Sequence, residues 1–175
     1  MSPRILIADP IAQKGIDRLA EAADVDLKTG LDPKALLAII ADYDALIVRS
    51  ETKVTAAVIA AATKLRAIGR AGVGVDNIDV AAATEQGIVV VNAPTGNTIS
   101  AAELAVALLL ALARNLPAAD TSLRGGAWKR ADFIGVELRG KTAGVVGLGQ
   151  VGSAVARRLV AMEMRVLGHD PFVPD

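Results

Sequence analysis

The feature that most constrains this chain is an apolar run, Ala143 to Val146, that stops at Gly147-Leu148-Gly149-Gln150-Val151-Gly152. Beyond it, Val151, Val155, Leu159 and Met162 recur at helical spacing. A strand, a tight turn and a helix are written this way, and Gly-x-Gly-x-x-Gly at that junction is a dinucleotide-binding fingerprint in its proper context. Gly147 permits the sharp turn. Gly149 lets backbone N–H groups approach a pyrophosphate at the positive end of the helix, and Gly152 lets helix and strand pack closely. The next apolar run, Arg165-Val166-Leu167-Gly168-His169, leads to Asp170, about 20 residues past the turn, where an acid on the adenine ribose is expected. A carboxylate there repels the 2′-phosphate of NADP and favours NAD. The competing reading of Asp170 is a turn begun with Pro171.

The first hundred residues alternate short β-rich runs with helical patterns. Strands are expected at Ile5–Ala8, Val25–Lys28, Ala45–Val48, Arg66–Ile68 and Ile88–Val91. Helices are expected at Ile11–Ala22, Pro33–Ala41 (Asp32 as N-cap), Ala56–Ala62 (Thr55) and Val80–Glu85 (Asp79). Apolar runs without polar alternation predict strands covered on both faces, hence a mostly parallel α/β domain. Ser100-Ala101-Ala102-Glu103 has the form of a capping box opening a helix to about Arg114. That helix is apolar almost all round, which predicts burial between domains or subunits. A second helical piece, Leu116–Leu123, ends at Arg124-Gly125-Gly126, and Trp128 to Gly140 reads as a linker.

Composition excludes several function classes. The chain has 19 Lys plus Arg against 19 Asp plus Glu, so no overall field attracts nucleic acid or an anionic membrane. It has no cysteine, which removes disulfides, thiolate nucleophiles and zinc-thiolate sites and suits a reducing cytoplasm. The longest apolar run, Leu104 to Ala113, is far shorter than the roughly 20 residues of a membrane span, and the N-terminus lacks a signal-peptide pattern. A cytoplasmic protein is expected, with no nucleic-acid or membrane partner.

At Val48-Arg49-Ser50-Glu51-Thr52-Lys53, at Gly69-Arg70-Ala71-Gly72-Val73-Gly74-Val75-Asp76-Asn77-Ile78-Asp79, and at Asn92-Ala93-Pro94-Thr95-Gly96-Asn97-Thr98, the chain resembles the D-isomer-specific 2-hydroxyacid dehydrogenases. The resemblance runs from about Ile5 to the end. It implies a flavodoxin-like parallel-sheet substrate domain (1–97), interdomain helices and linker (98–140), and the first βαβ unit of a Rossmann coenzyme domain (141–175). The Arg-Ala-Gly-x-Gly-Val-Asp-Asn form implies a small anionic 2-hydroxy acid as substrate, and specifically NAD-dependent oxidation of 3-phosphoglycerate to 3-phosphohydroxypyruvate in serine biosynthesis. A hydroxypyruvate or glyoxylate reductase and a non-catalytic NAD-binding module are the alternatives, and an interaction subunit using the Leu104–Ala113 helix is a third reading.

Carried onto matching positions, Arg49, Ser50, Arg70, Gly72, Gly74 and Asn97 are substrate-side residues. An Arg fork and loop amides are good anion ligands. The plainer readings are a solvated strand end for Arg49, a surface ion pair for Arg70 and a polar lead-in to the helix for Asn97. Gly147, Gly149, Gln150, Val151, Gly152 and Asp170 are coenzyme-side residues. Asp76, Asn77 and Asp79 read as turn and cap chemistry, and Val73 lacks the hydroxyl that some relatives aim at the coenzyme. The catalytic Arg, Glu and His of the family match nothing here; the single histidine, His169, sits at the adenine end, so no catalytic and no metal-binding residue is assigned. The expectation is therefore the N-terminal portion of a longer enzyme, inactive alone and homo-oligomeric when complete. Its Ala143–Val146 strand would keep an unpaired apolar edge, because a doubly wound sheet flanks its first strand on both sides.

Overall fold

The computed structural model describes residues 2–173 and divides into two compact units, one ending at Gly96 and the other beginning at Asn97. Met1, which opens the expected segment 1–97, and Pro174 and Asp175, which close 141–175, lie outside the described residues.

The first unit is a five-stranded sheet. Its strands are β1 (Arg4–Ile7), β2 (Asp24–Leu27), β3 (Ala45–Val48), β4 (Ala67–Arg70) and β5 (Val89–Asn92). The order β2-β1-β3-β4-β5, with every pairing parallel, is the flavodoxin-like arrangement. Connecting helices are α1 (Gln13–Ala20), α2 (Pro33–Ile39, continued by a 3-10 turn Ile40–Asp42), α3 (Ala56–Ala61) and α4 (Val80–Glu85). The expected caps form: Asp32 Oδ1 accepts from Ala35 N at 2.8 Å, Thr55 Oγ1 from Val58 N at 3.5 Å and Asp79 Oδ1 from Ala82 N at 3.0 Å. Leu6, Leu46, Val48 and Ile68 of the central strands are fully buried against Leu36 and Ile59 of the helices. Full coverage stops at the sheet edges, however. Val89 and Val91 on β5 are 58% and 54% exposed, so the expectation of strands buried on both faces holds only for the centre.

Tyr43 is buried, and its hydroxyl donates to Asp26 Oδ2 at 2.7 Å while accepting from Lys28 Nζ at 2.9 Å. Arg4 joins the same carboxylate at 2.9 Å and stacks over the ring. Hydrogen bonding from Tyr43, then from Arg4, holds the Asp26 carboxyl below the ordinary carboxylate range.

The second unit contains α5 (Thr98–Ala113), α6 (Leu116–Arg124), a 3-10 turn (Arg130–Phe133), β6 (Thr142–Val146), α7 (Gln150–Ala161) and β7 (Arg165–His169). The segment 98–140 thus folds with the βαβ unit. β6 and β7 pair in parallel, and among the described residues β6 has no second neighbour; Val146 is 87% exposed. Val145, Leu159 and Met164 form the core with Leu138, and Val106, Leu109 and Leu110 of α5 pack on it.

The expected start of α5 is corrected. The helix begins at Thr98 with Asn97 at the N-cap position, so Ser100 lies inside its first turn and its hydroxyl donates to the Asn97 carbonyl at 3.1 Å. Glu103 faces Arg158 of α7 at 3.6 Å instead of closing a capping box. Its own unit leaves part of the helix open: Leu104, Leu108 and Leu112 are 60%, 61% and 77% exposed.

Candidate functional site

Parallel α/β sheets hold ligands at the carboxyl ends of their strands, because helix N-termini and loops converge there. In the first unit that edge carries Asp9 beyond β1, Arg49 and Ser50 beyond β3, Arg70 at the end of β4 and Asn92 at the end of β5. Strand order reverses between β1 and β3, which places Asp9 and Arg49 on either side of the switch point.

Asp9 is 1% exposed and fully engaged. Its Oδ2 accepts the Arg49 N–H at 2.6 Å, its Oδ1 accepts the Thr52 hydroxyl at 2.6 Å, and the Thr52 N–H reaches both oxygens at 3.2 Å. A buried carboxylate is tolerated only when so satisfied. Its effect is to fix the backbone of the Arg49–Thr52 loop while leaving the Arg49 side chain exposed, with one Nη1 contact of 3.4 Å to the Pro10 carbonyl.

Arg70 is held differently. Its side chain is 12% exposed; Nε donates to Asn77 Oδ1 at 3.1 Å, and Nη2 lies 3.8 Å from Asp76 Oδ1, whose side chain is 86% exposed and so attracts weakly. Gly72 lies directly beneath the guanidinium: a Cβ there would collide with Arg70 Nη1. The Gly72–Gly74 loop is itself pinned, with Asn92 Nδ2 donating to the Val73 carbonyl at 2.6 Å and the Ala93 N–H to the Gly72 carbonyl at 2.9 Å. Among the described residues the N–H groups of Val73, Gly74 and Val75 meet no protein acceptor. A guanidinium beside unspent loop amides is the donor set an oxyanion needs.

The second unit presents the fingerprint turn. Gly147 has φ +92°, open to glycine and strained for other residues. A Cβ on Gly152 would collide with the Gly147 carbonyl oxygen, so helix and turn touch through backbone alone. Gly149 is the N-cap of α7 and supplies no capping side chain, which leaves the first-turn amides of Gln150, Val151 and Gly152 without a protein acceptor among the described residues. Nothing lies within 4 Å of where a Gly149 Cβ would be. A dinucleotide pyrophosphate fits this cradle, since the amides converge on open space at a helix N-terminus.

Asp170 follows β7 and performs the turn role weighed for it from sequence, together with a tie that the sequence did not suggest. Its Oδ1 accepts from Phe172 N at 2.9 Å, which is the turn, and its Oδ2 accepts from Leu148 N at 2.7 Å, which ties β7 to the glycine turn. Those two N–H groups, Phe172 first, hold its carboxyl below the ordinary range, and each oxygen keeps a lone pair for a further donor. His169 contributes its backbone carbonyl to Gly147 N at 2.7 Å.

The structure thus brings Arg49, Ser50, Arg70, Gly72 and Gly74 to one edge of the first unit, and Gly147, Gly149, Gln150, Val151, Gly152 and Asp170 to one turn of the second. Asn97 falls in the second unit, at the start of α5, beside Thr98, whose buried Oγ1 has no partner among the described residues. Sequence reading missed Asp9, Thr52 and Asn92, and it gave Asn77 only a turn role. Asp9 had a signal, an acid immediately after an apolar strand of a parallel sheet; the others had none.

The family model for the D-isomer specific 2-hydroxyacid dehydrogenase catalytic domain matches residues 5–166. A D-3-phosphoglycerate dehydrogenase of Archaeoglobus fulgidus is 57% identical over 171 residues, covering 97% of this chain and 32% of that protein. The chain therefore spans about a third of the length of such relatives. Among solved structures, a Thermus thermophilus protein superposes with TM-score 0.90 at 38% identity, covering 98% of this chain and 57% of that one. An NAD+-bound 3-phosphoglycerate dehydrogenase of Entamoeba histolytica superposes with TM-score 0.78 at 29% identity, covering 100% of this chain and 56% of that one.

Proposed function

Since the chain belongs to the D-isomer specific 2-hydroxyacid dehydrogenase family, we propose that it is the substrate-holding unit and the opening of the coenzyme crevice of an NAD-dependent 3-phosphoglycerate dehydrogenase. The reaction is oxidation of 3-phosphoglycerate at C2 to 3-phosphohydroxypyruvate, supplying serine biosynthesis. The observation that carries this reading is the pair of arginines on one sheet edge, Arg49 exposed on a braced loop and Arg70 set among free amides. A substrate with a carboxylate at one end and a phosphate at the other needs two such grips. Identity to relatives named for this activity supports the same substrate.

In this reading Arg49, Ser50, Arg70 and the Gly72–Gly74 amides bind and orient the acid, and Asn97, carried by the second unit, is assigned to the same substrate. The amides of Gln150 and Val151 hold the pyrophosphate of NAD, Gly147, Gly149 and Gly152 shape the turn, and Asp170 accepts from the adenine-ribose hydroxyls. NAD, when bound, supplies the hydride acceptor for C2. None of these residues is assigned to take the hydroxyl proton; His169 follows the coenzyme-side strand and is given no catalytic role in this reading. Among the described residues no single helix is long and apolar enough to cross a membrane, and the balanced charge sets up no overall field for nucleic acid; the proposed partner is a small molecule.

The test is a substrate panel on the full-length enzyme, following NADH absorbance. 3-Phosphoglycerate is expected to exceed glycerate and lactate by at least about a hundred-fold in kcat/KM, since a site built for a second anion leaves that cation unpaired with the smaller acids. Equal turnover of glycerate would overturn the assignment.

A further inference from the structure

Asn77 stands where the two arginine-bearing loops meet. Its Nδ2 donates to the Arg49 carbonyl and to the Thr52 carbonyl, both at 2.7 Å, and its Oδ1 accepts the Arg70 Nε–H at 3.1 Å. Its backbone carbonyl accepts from Val54 N at 2.8 Å, and the adjoining Val54 and Ile78 form a parallel bridge. Two carbonyls demand donors and a guanidinium N–H demands an acceptor, so the side-chain amide can sit in only one orientation. No other side chain of this length offers two donors and an acceptor together. Asp9 grips the same loop from its opposite side through Arg49 N and Thr52.

We propose that Asn77 is a positioning residue for the substrate grip: it couples the Arg70 guanidinium to the loop that carries Arg49, so that the two cations are set at one spacing before the acid arrives. This rests on the assignment of Arg49 and Arg70 to the anionic ends of the substrate. Arg70 is hydrogen-bonded through Nε, with Nη2 only in a long, weak pairing to the exposed Asp76 carboxylate, and the Nε bond that aims it comes from the same amide that fixes the Arg49 backbone. Preorganisation of this kind lowers the ordering cost of binding and leaves the chemical step alone.

The experiment uses the full-length enzyme with 3-phosphoglycerate and NAD, comparing Arg70→Ala, Asn77→Ala, Asn77→Asp and the double variant Asn77→Ala/Arg70→Ala. Asn77→Ala is expected to raise KM for 3-phosphoglycerate roughly ten-fold, the scale of a lost hydrogen bond to a charged group, with KM for NAD unchanged and kcat within roughly two-fold. Asn77→Asp keeps the size and the acceptor for Arg70 but sets a carboxylate oxygen against two carbonyls; its KM for 3-phosphoglycerate also rises, and it carries the test if the alanine variant does not fold. The double variant is expected to fall short of the product of the single effects, because both act on one grip. A purely structural role would lower the thermal midpoint and leave KM where it was. Unchanged KM in the Asn77 variants, or effects that multiply fully with Arg70→Ala, overturns the coupling alone. Unchanged KM in Arg70→Ala overturns the assignment of that arginine to the substrate as well.

Discussion

Asp170 binds one N–H with each carboxylate oxygen, and both bonds are to backbone. The charged form is therefore favoured in the folded chain, and its pKa is depressed by the Phe172 and Leu148 amides. A depressed carboxylate contributes fully above its unfolded pKa and loses that contribution as pH falls through the folded one. Coenzyme affinity is accordingly expected to hold across neutral pH and to decline only in acid, below the ordinary carboxylate range. Asp170→Ala removes the proposed ribose acceptor and the negative charge together. KM for NAD is expected to rise roughly ten-fold or more, and the preference for NAD over NADP to narrow. Steady-state kinetics with both coenzymes checks this; an unaltered NAD/NADP ratio would reduce Asp170 to its turn role.

Strand, turn and helix at β6-α7 form a single device whose tolerance is set by backbone contact. Gly152→Ala places a methyl group against the Gly147 carbonyl, and relief requires α7 to move off β6. Overpacking of this sort costs about 1–3 kcal/mol. The expected outcome is loss of NAD binding, read by coenzyme titration, with a lowered unfolding midpoint. This device was legible in sequence because glycine spacing, strand period and helix period all lie within one short window. The caps Asp32, Thr55 and Asp79 were legible for the same reason. What failed was whatever depended on distant partners. Ser100 and Glu103 satisfy the capping template, but Glu103 meets Arg158 on another helix and the true helix start lies at Thr98. Asn77 sits in a turn-like string, and nothing local reveals that its amide binds the Arg49, Thr52 and Arg70 positions. Apolar β5 gave no sign of being an edge, because a run without alternation looks the same at the centre of a sheet and at its margin.

For the whole molecule, the outstanding surface is the α5 stripe of Leu104, Leu108 and Leu112, spaced one helical turn apart and each more than half exposed. Val106, Leu109 and Leu110 on the other side of the helix already serve the second unit's core. An apolar helix face of this kind is a liability unless covered, and the homo-oligomer expected from sequence would set a second copy there. Leu104→Glu with Leu108→Glu in the full-length protein is expected to shift the assembly to monomers by light scattering; an unchanged mass would send the stripe to another partner.

Every pairing in the first unit's sheet is parallel, so no strand can zip onto its neighbour from a tight turn. Each must wait for a crossover helix to carry the chain back, and non-local closures of this kind come slowly. Arg49, Arg70 and Asn77 converge only after β3 and β4 have docked, with Asp9 arriving on β1. The proposed grip is thus a product of the finished sheet: a chain stalled with one central strand undocked carries all the same residues without the arrangement assigned to the anion.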